Sequence, residues 1–310
     1  MKALCKDYLV RSPLLDDASA VTDFVAMVDI SEFGFPDIEI QDVIDLWSEI
    51  TLNKNVWIIE SLKNNQIIGY GFIEETDSES LYASAFVHPD FKGEGIGTHL
   101  LDLIDFRALE IKTSKNLSLK LDNVVPANNE SAIHLLESKG YQFNRLYQRM
   151  EMKMEEIPES ISVPSGVTIR PYRAETDSVK LHEAHQDSFK DVRDFSPQPY
   201  EQWIQQKSTT NYDQSLWFVA YAENELVGFI ICKIFDGKDI YVDLLGTKKN
   251  WRKRGLASCL LNTVFRESFN RGNQTVLITV DSNSLTKANL LYEKVGFKSI
   301  FKVALFQKHI

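Results

Sequence analysis

The chain has 310 residues, of which 44% are apolar and 25% are charged, and its formal net charge is −10. This composition is typical of a soluble globular protein, and the length predicts about two domains. The negative charge argues against non-specific binding to nucleic acid and weakly favours a cationic partner.

The three cysteines, Cys5, Cys232 and Cys259, are too far apart in the sequence for a disulfide framework or a metal-ligand cluster. They indicate a reducing compartment, and we expect no metal cofactor. The first residues lack the apolar segment of a signal peptide, and no apolar run is long enough to span a membrane. We therefore expect a cytoplasmic protein that does not bind a membrane, and the oligomeric state stays open.

The first half of the chain alternates helical and strand patterns. Apolar residues at helical spacing predict two helices before residue 50, separated at 33–37. The elements predicted after them are a hairpin of strands 57–61 and 67–74, a strand 81–87, a helix 95–111, a strand 117–122, a helix 130–138 and closing strands within 141–154.

A polar segment with two prolines, 155–166, is typical of a linker. Antiparallel hairpins combined with a strand–helix–strand crossover predict an α/β fold with a mixed, mostly antiparallel sheet flanked by helices, present twice. We place the two domains at 1–155 and 166–310. The second half repeats the order of the first, with helices within 176–208, a hairpin 217–235, a strand 240–246, a helix 255–270, a strand 275–281, a helix 287–295 and strands 298–309.

The most informative motif is a glycine-containing loop that occurs twice, at 91–97 and 251–257, each time between a strand and a helix. The first N–H groups of a helix have no intrahelical partner, and the helix dipole adds positive charge there. Glycine or alanine lets an anion approach this backbone closely, and neighbouring lysine or arginine adds charge. The pattern therefore predicts two diphosphate sites. The alternative, small residues that only pack a helix on a sheet, is weakened by the repetition.

The known phosphate loops of other folds fit less well. The chain contains neither the Gly-x-x-x-x-Gly-Lys-Ser/Thr pattern of nucleoside triphosphatases nor a Gly-x-Gly-x-x-Gly after a strand.

The patterns Arg252-x-x-Gly255-x-Ala257 and Lys92-x-x-Gly95-x-Gly97, together with the segment 288–297, resemble the two hallmark segments of the GNAT acyltransferase superfamily. The resemblance covers both halves, so the chain is similar to tandem members of that family. It implies GNAT-like domains that bind acetyl-CoA as co-substrate. Lys92 departs from the family's usual arginine or glutamine, because it keeps the charge but loses the forked geometry of a guanidinium.

The resemblance also assigns residues to coenzyme binding. These are Phe86, Val87, Lys92, Gly93, Glu94, Gly95, Ile96 and Gly97 in the first half, and Leu245, Gly246, Thr247, Arg252, Lys253, Arg254, Gly255, Leu256, Ala257 and Asn289 in the second.

The two halves differ at the positions where acyl transfer needs a proton donor and a proton acceptor. The departing thiolate benefits from a proton, and Tyr292 occupies the position where GNAT enzymes commonly place a tyrosine that gives it. The corresponding residue of the first half is Leu136, which cannot donate a proton. The structural alternative for Tyr292 is an aromatic anchor on an amphipathic helix.

The acceptor amine must lose a proton before it attacks, since an alkyl ammonium has a pKa near about 10. Asp243 interrupts an otherwise apolar strand, where a carboxylate is costly unless it is paired or used, and its counterpart is Ala83. Asp243 could accept the amine proton through a water, or it could make a structural hydrogen bond or face solvent. The first half thus lacks both the proton donor and the proton acceptor, so we expect the second domain to be catalytic.

Other candidate residues carry weaker signals. Packing is the expected role of Cys259, and lone histidines such as His88 and His185 are usually not acid–base groups. Three aspartates lie where GNAT domains often shape the acceptor pocket, although a solvated loop is the simpler reading. They are Asp187, Asp191 and Asp194.

These observations predict an N-acetyltransferase that moves an acetyl group from acetyl-CoA to a primary amine by direct attack in a ternary complex. The acceptor would be a small molecule or a peptide, and the acidic balance of the chain weakly favours a cationic one. The alternative is a non-catalytic sensor or scaffold that binds acyl-CoA. The first domain would either bind acetyl-CoA without turnover or give structural support.

Overall fold

The computed structural model describes residues 7–76, 79–192, 195–208, 211–235, 239–284 and 287–310. The chain divides into two compact units, of which the first comprises Met1–Tyr147 with Phe301–Ile310 and the second Gln148–Ile300. The sequence-based domain 166–310 includes the last ten residues, which the structure assigns to the first unit because they pair there with a strand. The boundaries at 155 and 166 stay a prediction for where the two repeats separate.

The helices of the described residues are α1 Ala18–Phe33, α2 Ile40–Glu49, α3 Leu52–Asn55, α4 Ile96–Lys115, α5 Glu130–Ser138, α6 Ala174–Phe189, α7 Tyr200–Gln206, α8 Leu256–Asn270 and α9 Ala288–Lys294. The strands are β1 Tyr8–Arg11, β2 Val56–Ser61, β3 Gln66–Glu75, β4 Ser80–Val87, β5 Lys120–Pro126, β6 Gln142–Lys153, β7 Val167–Pro171, β8 Phe218–Ala222, β9 Glu225–Phe235, β10 Asp239–Thr247, β11 Thr275–Asp281 and β12 Lys298–His309.

The sheet of the first unit has the order β1-β2-β3-β4-β5-β12. Its neighbours are antiparallel except for β4 and β5, which are parallel, as the predicted crossover requires. The β4–β5 pairing runs only from Ser80↔Lys120 to Ala83↔Asn123, although both strands continue. The carboxyl-terminal halves of these two strands therefore separate and leave a gap.

The second unit repeats this arrangement with the order β6-β11-β10-β9-β8-β7. The parallel pair is now β10 with β11, and its pairing ends at Val242↔Ile278 while both strands continue. The two units thus open a gap at equivalent places, and in each unit the predicted glycine loop follows the strand that borders the gap.

Helices cover both faces of the sheet in each unit. In the first, α4 and α5 pack on one face and α1 with α2 on the other. In the second, α8 and α9 take the first position and α6 with α7 the second. The apolar positions of α1 predicted from helical spacing, Val21, Phe24, Val25 and Val28, are all buried. Complete burial of one such side chain contributes about 2 kcal/mol.

Left-handed residues decide where two of the helices end, and only one of these ends agrees with the sequence prediction. Helix α1 ends at Gly34, whose left-handed backbone with φ +88° stops the helix, as the predicted break at 33–37 requires. Helix α4 runs past the predicted end at residue 111 to Lys115, because the left-handed residue that ends it is Asn116, with φ +53°. The following strand accordingly begins at Lys120 rather than at residue 117.

The predicted linker is held against α8 within the second unit. The Asn262 side chain donates to the Glu159 carbonyl at 2.9 Å and accepts from the Ile161 N–H at 3.4 Å. Arg266 donates to the carbonyl of Pro158. The linker is therefore hydrogen-bonded to α8, the helix that follows the second glycine loop.

Within the part of the chain that the structure describes, no helix is both long enough and apolar enough to cross a membrane.

Candidate functional site

Each glycine loop has the backbone that its sequence predicts. Helices α4 and α8 begin directly after Gly95 and Gly255, which adopt left-handed backbone with φ of +86° and +84°. A Cβ atom added to either glycine would meet nothing within 4 Å. Glycine is thus needed for its conformation, and the space beside it is open. Because no side chain of the described residues caps either helix, the first N–H groups are available to an anionic ligand.

A second left-handed position lies two residues earlier in each loop. In the first unit it is Gly93, with φ +85°, and in the second it is Lys253, with φ +61°. A side chain in this conformation costs roughly 1 kcal/mol, and such strain persists mostly where function requires it. The second loop therefore keeps a cation at a position where glycine would be more stable.

The leading cation of each loop is held by the rest of its unit. Arg252 donates to the carbonyls of Thr247 at 3.2 Å and Ser188 at 2.8 Å, so it ties the loop to the ends of β10 and α6. Lys92 donates to Glu32 at 2.6 Å. Both side chains lie at the loop as predicted, but Lys92 is neutralised by a carboxylate that a diphosphate would have to displace.

The first unit contains a cavity of about 450 Å³ beside its glycine loop. Its wall comes from β4, the loop, the start of α4, the gap-facing end of β5, α5 and α1. The predicted coenzyme-binding residues in this wall are Phe86, Val87, Lys92, Gly93, Gly95, Ile96 and Gly97. Glu94 instead accepts a hydrogen bond from Tyr8. Leu136, the first-half counterpart of Tyr292 in the alignment of the two repeats, also lines this cavity.

One buried polar group in this wall lacks a partner. Asn123 is 2% exposed, and its Nδ2 makes no hydrogen bond to the described residues. An unsatisfied buried amide costs about 1–3 kcal/mol. A ligand with a hydrogen-bond acceptor in the cavity would recover that cost. The carbonyl and phosphate oxygens of an acyl-CoA are such acceptors.

A second polar group of the wall, Asp29, leads to a testable pH dependence. Asp29 is 7% exposed, and burial raises its pKa to about 6. The pKa of Asp29 is higher in the folded protein than in the unfolded chain, so folding favours the protonated carboxyl. The free energy of unfolding is therefore highest at low pH, where Asp29 is protonated, and it falls as the pH rises through about 6. We expect Asp29→Asn to stabilise the protein by about 2 kcal/mol near pH 8 and by much less near pH 4.5.

Thermal unfolding at both pH values measures this effect. Asp23→Asn, which changes an exposed carboxyl on the same helix, is the control. Equal stabilisation of the Asp29 variant at the two pH values would contradict the prediction.

In the second unit, Asp243 lies at a β-bulge of β10. The pairing with β9 shifts by one residue between Val242 and Leu244, whereas Ala83 lies in an unbroken stretch of the β3–β4 pairing. A bulge removes a residue from the ladder and often re-aims a side chain beside an active site. The polar interruption seen in the sequence thus coincides with a structural irregularity that the first unit lacks.

The Asp243 carboxylate is held by two groups that sequence reasoning missed. Its Oδ2 accepts hydrogen bonds from Lys207 Nζ at 2.7 Å and from the Tyr212 hydroxyl at 2.9 Å. Burial, followed by the nearby Asp243, raises the pKa of Tyr212, so this hydroxyl stays a donor. A buried carboxylate signals that some partner exists. The sequence does not say which one, because both partners are more than 30 positions away.

Tyr292 lies on α9 and is 7% exposed. Its ring packs edge-on against Phe297, with the centroids 5.8 Å apart. Burial raises its pKa, and the neighbouring Tyr241 adds to the rise, so the hydroxyl is protonated at neutral pH. Tyr241 also adds to the raised pKa of Tyr212. Tyr241 thus disfavours ionisation of both the Tyr292 and the Tyr212 hydroxyl.

The end of β10 beyond the bulge borders the gap with β11. Leu245 and Thr247 are half-buried there. Packing requires glycine at position 246, because an added Cβ would lie 2.3 Å from the Phe229 ring. The side chain is excluded by packing inside the unit, while the backbone still borders the gap.

The remaining loop residues flank the start of α8. Arg254 lies over the ring of Trp251 at 4.8 Å, Leu256 is buried in the core and Ala257 occupies the first turn. Asn289 is half-buried on α9.

The weaker candidates have structural surroundings. The imidazole of His185 lies among aromatic rings, and burial lowers its pKa to about 4, so it is neutral at pH 7. His88 contacts Gln66 and accepts from the N–H of Asp90. Cys259 is buried, and burial raises its pKa, which fits the expected packing role.

The acidic residues expected to shape an acceptor pocket are only partly described. Asp187 pairs with Lys190, and Asp191 lies 3.8 Å from Arg252. Asp194 lies outside the described residues. Among the described residues, no cluster of three or more histidine, cysteine, aspartate or glutamate side chains has the arrangement of a metal site.

The comparisons with known proteins agree with this geometry. The profile of the acetyltransferase (GNAT) family matches residues 179–297, and that of an acetyltransferase (GNAT) domain matches residues 53–143. A mycothiol acetyltransferase from Streptomyces scabiei is 24% identical over 234 residues, which cover 74% of this chain and 73% of that protein. One from Acidothermus cellulolyticus is 24% identical over 261 residues, covering 78% and 76%.

Solved structures share the fold. A GCN5-related N-acetyltransferase from Sphaerobacter thermophilus has a TM-score of 0.87 at 24% identity and covers 99% of this chain and 97% of its own. A tandem GNAT protein from the clavulanic acid biosynthesis pathway has a TM-score of 0.72 at 12% identity, covering 97% and 98%. With family matches on both glycine-loop units, the chain belongs to the GNAT acetyltransferase family, carries two GNAT domains in tandem and is an acyl-CoA-dependent acetyltransferase.

Proposed function

We propose that the second unit transfers an acetyl group from acetyl-CoA to a primary amine of the acceptor, by direct attack in a ternary complex. The observation that carries this proposal is the difference between the units. Both keep the glycine loop and the separated strands, but only the second has a tyrosine on the helix facing the loop and a carboxylate at a bulge, Tyr292 and Asp243.

The loop after β10 would hold the coenzyme. The N–H groups at the start of α8 face the diphosphate, and Arg252, Lys253 and Arg254 supply positive charge around it. The backbone of Leu245–Thr247, at the edge of the gap, is placed to pair with the amide groups of the pantetheine arm. Leu256, Ala257 and Asn289 complete the surroundings of the coenzyme. The coenzyme itself supplies the acetyl group as a thioester.

Two side chains would move the protons. In the described residues, both hydrogen bonds of Asp243 are made by Oδ2, so Oδ1 is the oxygen that can accept the amine proton, directly or through a water. Tyr292 keeps its proton at neutral pH and can give it to the thiolate as the C–S bond breaks. The bulge also takes backbone groups out of the ladder beside Asp243, where an N–H can stabilise the developing oxyanion.

The role of Lys207 gives a prediction that separates positioning from proton transfer. Asp243→Asn should lower kcat by about 10²-fold or more, because an amide cannot accept the amine proton. Lys207→Met leaves that carboxylate in place with the Tyr212 hydroxyl as its remaining anchor. The loss of kcat should therefore be smaller and should be recovered in part by Lys207→Arg. Steady-state thiol release, measured against pH, checks this order. Equal losses in Asp243→Asn and Lys207→Met would contradict it.

For the first unit we propose binding of an acyl-CoA without turnover. Its cavity adjoins the loop and offers the unpaired Asn123 amide, but Leu136 and Ala83 provide neither acid nor base. Binding there requires the diphosphate to replace Glu32 at Lys92. We therefore expect weaker binding than in the second unit.

The acceptor class follows from the relatives only as a proposal. The curated relatives are named for mycothiol acetylation, so we favour a small-molecule amine over a peptide. Residence in the cytoplasm stays a prediction from the sequence.

Two measurements on the full chain test the function. Calorimetric titration with acetyl-CoA should give up to two binding events, and a panel of primary amines should release free thiol from acetyl-CoA. Binding without thiol release on any amine would overturn the transferase proposal and favour the acyl-CoA sensor. An absence of binding would overturn both.

A further inference from the structure

Lys207 places a primary amine on the carboxylate proposed as the catalytic base. Its Nζ donates to Asp243 Oδ2 at 2.7 Å and to the Tyr212 hydroxyl at 2.9 Å. An amine that attacks a thioester must first give a proton to a base within hydrogen-bond reach. Lys207 therefore already occupies the position, relative to Asp243, that the reaction requires of an acceptor amine.

This amine also lies where the gap between β10 and β11 begins. Asp243 is the first residue of β10 after the last pair of that ladder, Val242↔Ile278. Leu245, which begins the proposed contact with pantetheine, follows Asp243 by two residues, a distance of roughly 7 Å along a strand. The thioester lies at the inner end of the pantetheine arm, so the proposed coenzyme position brings it to this part of β10.

The backbone of Lys207 is fixed, which keeps the amine in place. Lys207 follows α7 directly, and its N–H donates to the carbonyl of Ile204 in the last turn of that helix. Trp203 anchors α7 in the core of the second unit and is 1% exposed. The Lys207 side chain itself is 14% exposed. An amine held in this way reacts without the entropy cost of binding from solution.

We infer that Lys207 is an internal acceptor, so that the second unit acetylates its own Lys207 Nζ when acetyl-CoA is bound and no other amine is present. This inference rests on the proposed transferase function, and it adds a covalent modification site to it. An acceptor from solution uses Asp243 Oδ1 in the proposed reaction, whereas Lys207 uses Oδ2. The two amines thus compete for one acetyl group.

The reaction balances with the groups already assigned. Asp243 Oδ2 takes one proton from the Lys207 ammonium, and the neutral Nζ forms a bond with the acetyl carbon. The C–S bond breaks, and the thiolate takes the proton of Tyr292. The nitrogen then loses a second proton, which restores Tyr292, and Asp243 releases the first proton to solvent. The products are an Nε-acetyl-lysine, the free thiol of the coenzyme and a proton.

Acetylation changes the surroundings of the base. An amide carries no charge, so acetylated Lys207 no longer forms an ion pair with Asp243. The carboxylate keeps the hydrogen bond from Tyr212 as its anchor. The modified protein should therefore turn over acceptors at the reduced rate of Lys207→Met, so that exposure to acetyl-CoA without an acceptor lowers the later activity of the enzyme.

The first unit contains a matched control with the same three side-chain types. Lys308 Nζ donates to Asp105 Oδ2 at 2.8 Å, and the Tyr141 hydroxyl donates to Asp105 Oδ1 at 3.1 Å. The exposed fraction of the Lys308 side chain is 25%, against 14% for Lys207. Asp105 lies roughly 14 Å along α4 from the first residue of that helix, Ile96. Lys308 thus shares the chemical surroundings of Lys207 but not its place beside a gap.

The test incubates the full chain with acetyl-CoA and no amine, and follows acetylation of both lysines by quantitative mass spectrometry after digestion with a glutamate-specific protease. We expect Lys207 to be acetylated at least about tenfold faster than Lys308, although it is less exposed. Asp243→Asn should slow acetylation of Lys207 by about 10²-fold and leave Lys308 unchanged. Lys207→Arg keeps the ion pair but has no nucleophilic amine, so thiol release without an acceptor should fall to background.

Two results would overturn the inference alone, as long as amines of the panel still release thiol from acetyl-CoA. These are equal rates at Lys207 and Lys308 in the wild-type protein, or an unchanged rate at Lys207 in Asp243→Asn. If neither lysine is acetylated faster than in heat-denatured protein and no amine releases thiol, the transferase function fails as well.

Discussion

Replacement of Tyr292 with phenylalanine is expected to lower kcat by about 10²- to 10⁴-fold while the affinity for acetyl-CoA stays near the wild-type value. The change removes the phenolic proton and little else, because the ring remains packed against Phe297. Burial keeps this hydroxyl protonated well above neutral pH, so it is a proton donor under assay conditions. Single-turnover thiol release and calorimetric titration separate the two quantities.

Tyr172→Phe is the matched control for this result. Tyr172 is also a buried tyrosine of the second unit, and its hydroxyl is 2.5 Å from Ser178, outside the candidate site. If both variants lose activity equally, the loss reports a general effect on the fold and not proton donation. If Tyr292→Phe keeps full activity, the assignment of the acid is wrong.

The second large effect is expected at the loop glycine. Gly255→Val places a β-branched side chain in left-handed backbone with φ +84°, which costs at least 1–2 kcal/mol if the loop keeps its shape. A distorted loop no longer presents its N–H groups to the diphosphate. We expect the KM for acetyl-CoA to rise at least about tenfold and kcat/KM to fall with it.

Two other glycines with the same backbone make this prediction specific. Gly95→Val strains the first loop equally, and we expect it to remove one binding event while thiol release continues. Gly272, with φ +84° and no atom within 4 Å of an added Cβ, lies after α8, away from the loop. Gly272→Val should change stability but not the KM for acetyl-CoA. If it raises the KM as much as Gly255→Val, backbone strain alone explains the result.

The repeated loops show what a single sequence reveals. The pattern Arg252-x-x-Gly255-x-Ala257 is local, and its spacing alone predicts a helix start with open N–H groups, which the structure confirms. The elements predicted in each half occur in the predicted order, because alternation and helical spacing are local signals too. Strands β1 and β7 and the short helix α3 were not predicted, and the closing strands of each half are one continuous strand, β6 and β12. The ends of elements were less accurate, as at α4, where Asn116 and not the apolar pattern decides the end.

Partners that are far apart in the sequence were not predictable. A polar residue in an apolar strand pointed to Asp243, but its anchors Lys207 and Tyr212 follow the end of α7 at Gln206 and carry no signal of their own in the sequence. The pairing of Lys92 with Glu32 was missed for the same reason. The packing requirement at Gly246 was also not predictable, because the Phe229 ring that excludes a side chain there comes from another strand.

The assignment of Phe301–Ile310 to the first unit has a consequence for synthesis on the ribosome. The seven pairs between β12 and β5 and the buried side chains of Ala304 and Phe306 are missing until residues 301–310 are translated. The nascent first unit therefore waits for the whole of Gln148–Ile300 to emerge, roughly 10 to 30 s at usual elongation rates. During that time the edge of β5 is exposed to chaperones, and the later-made unit can complete its fold first.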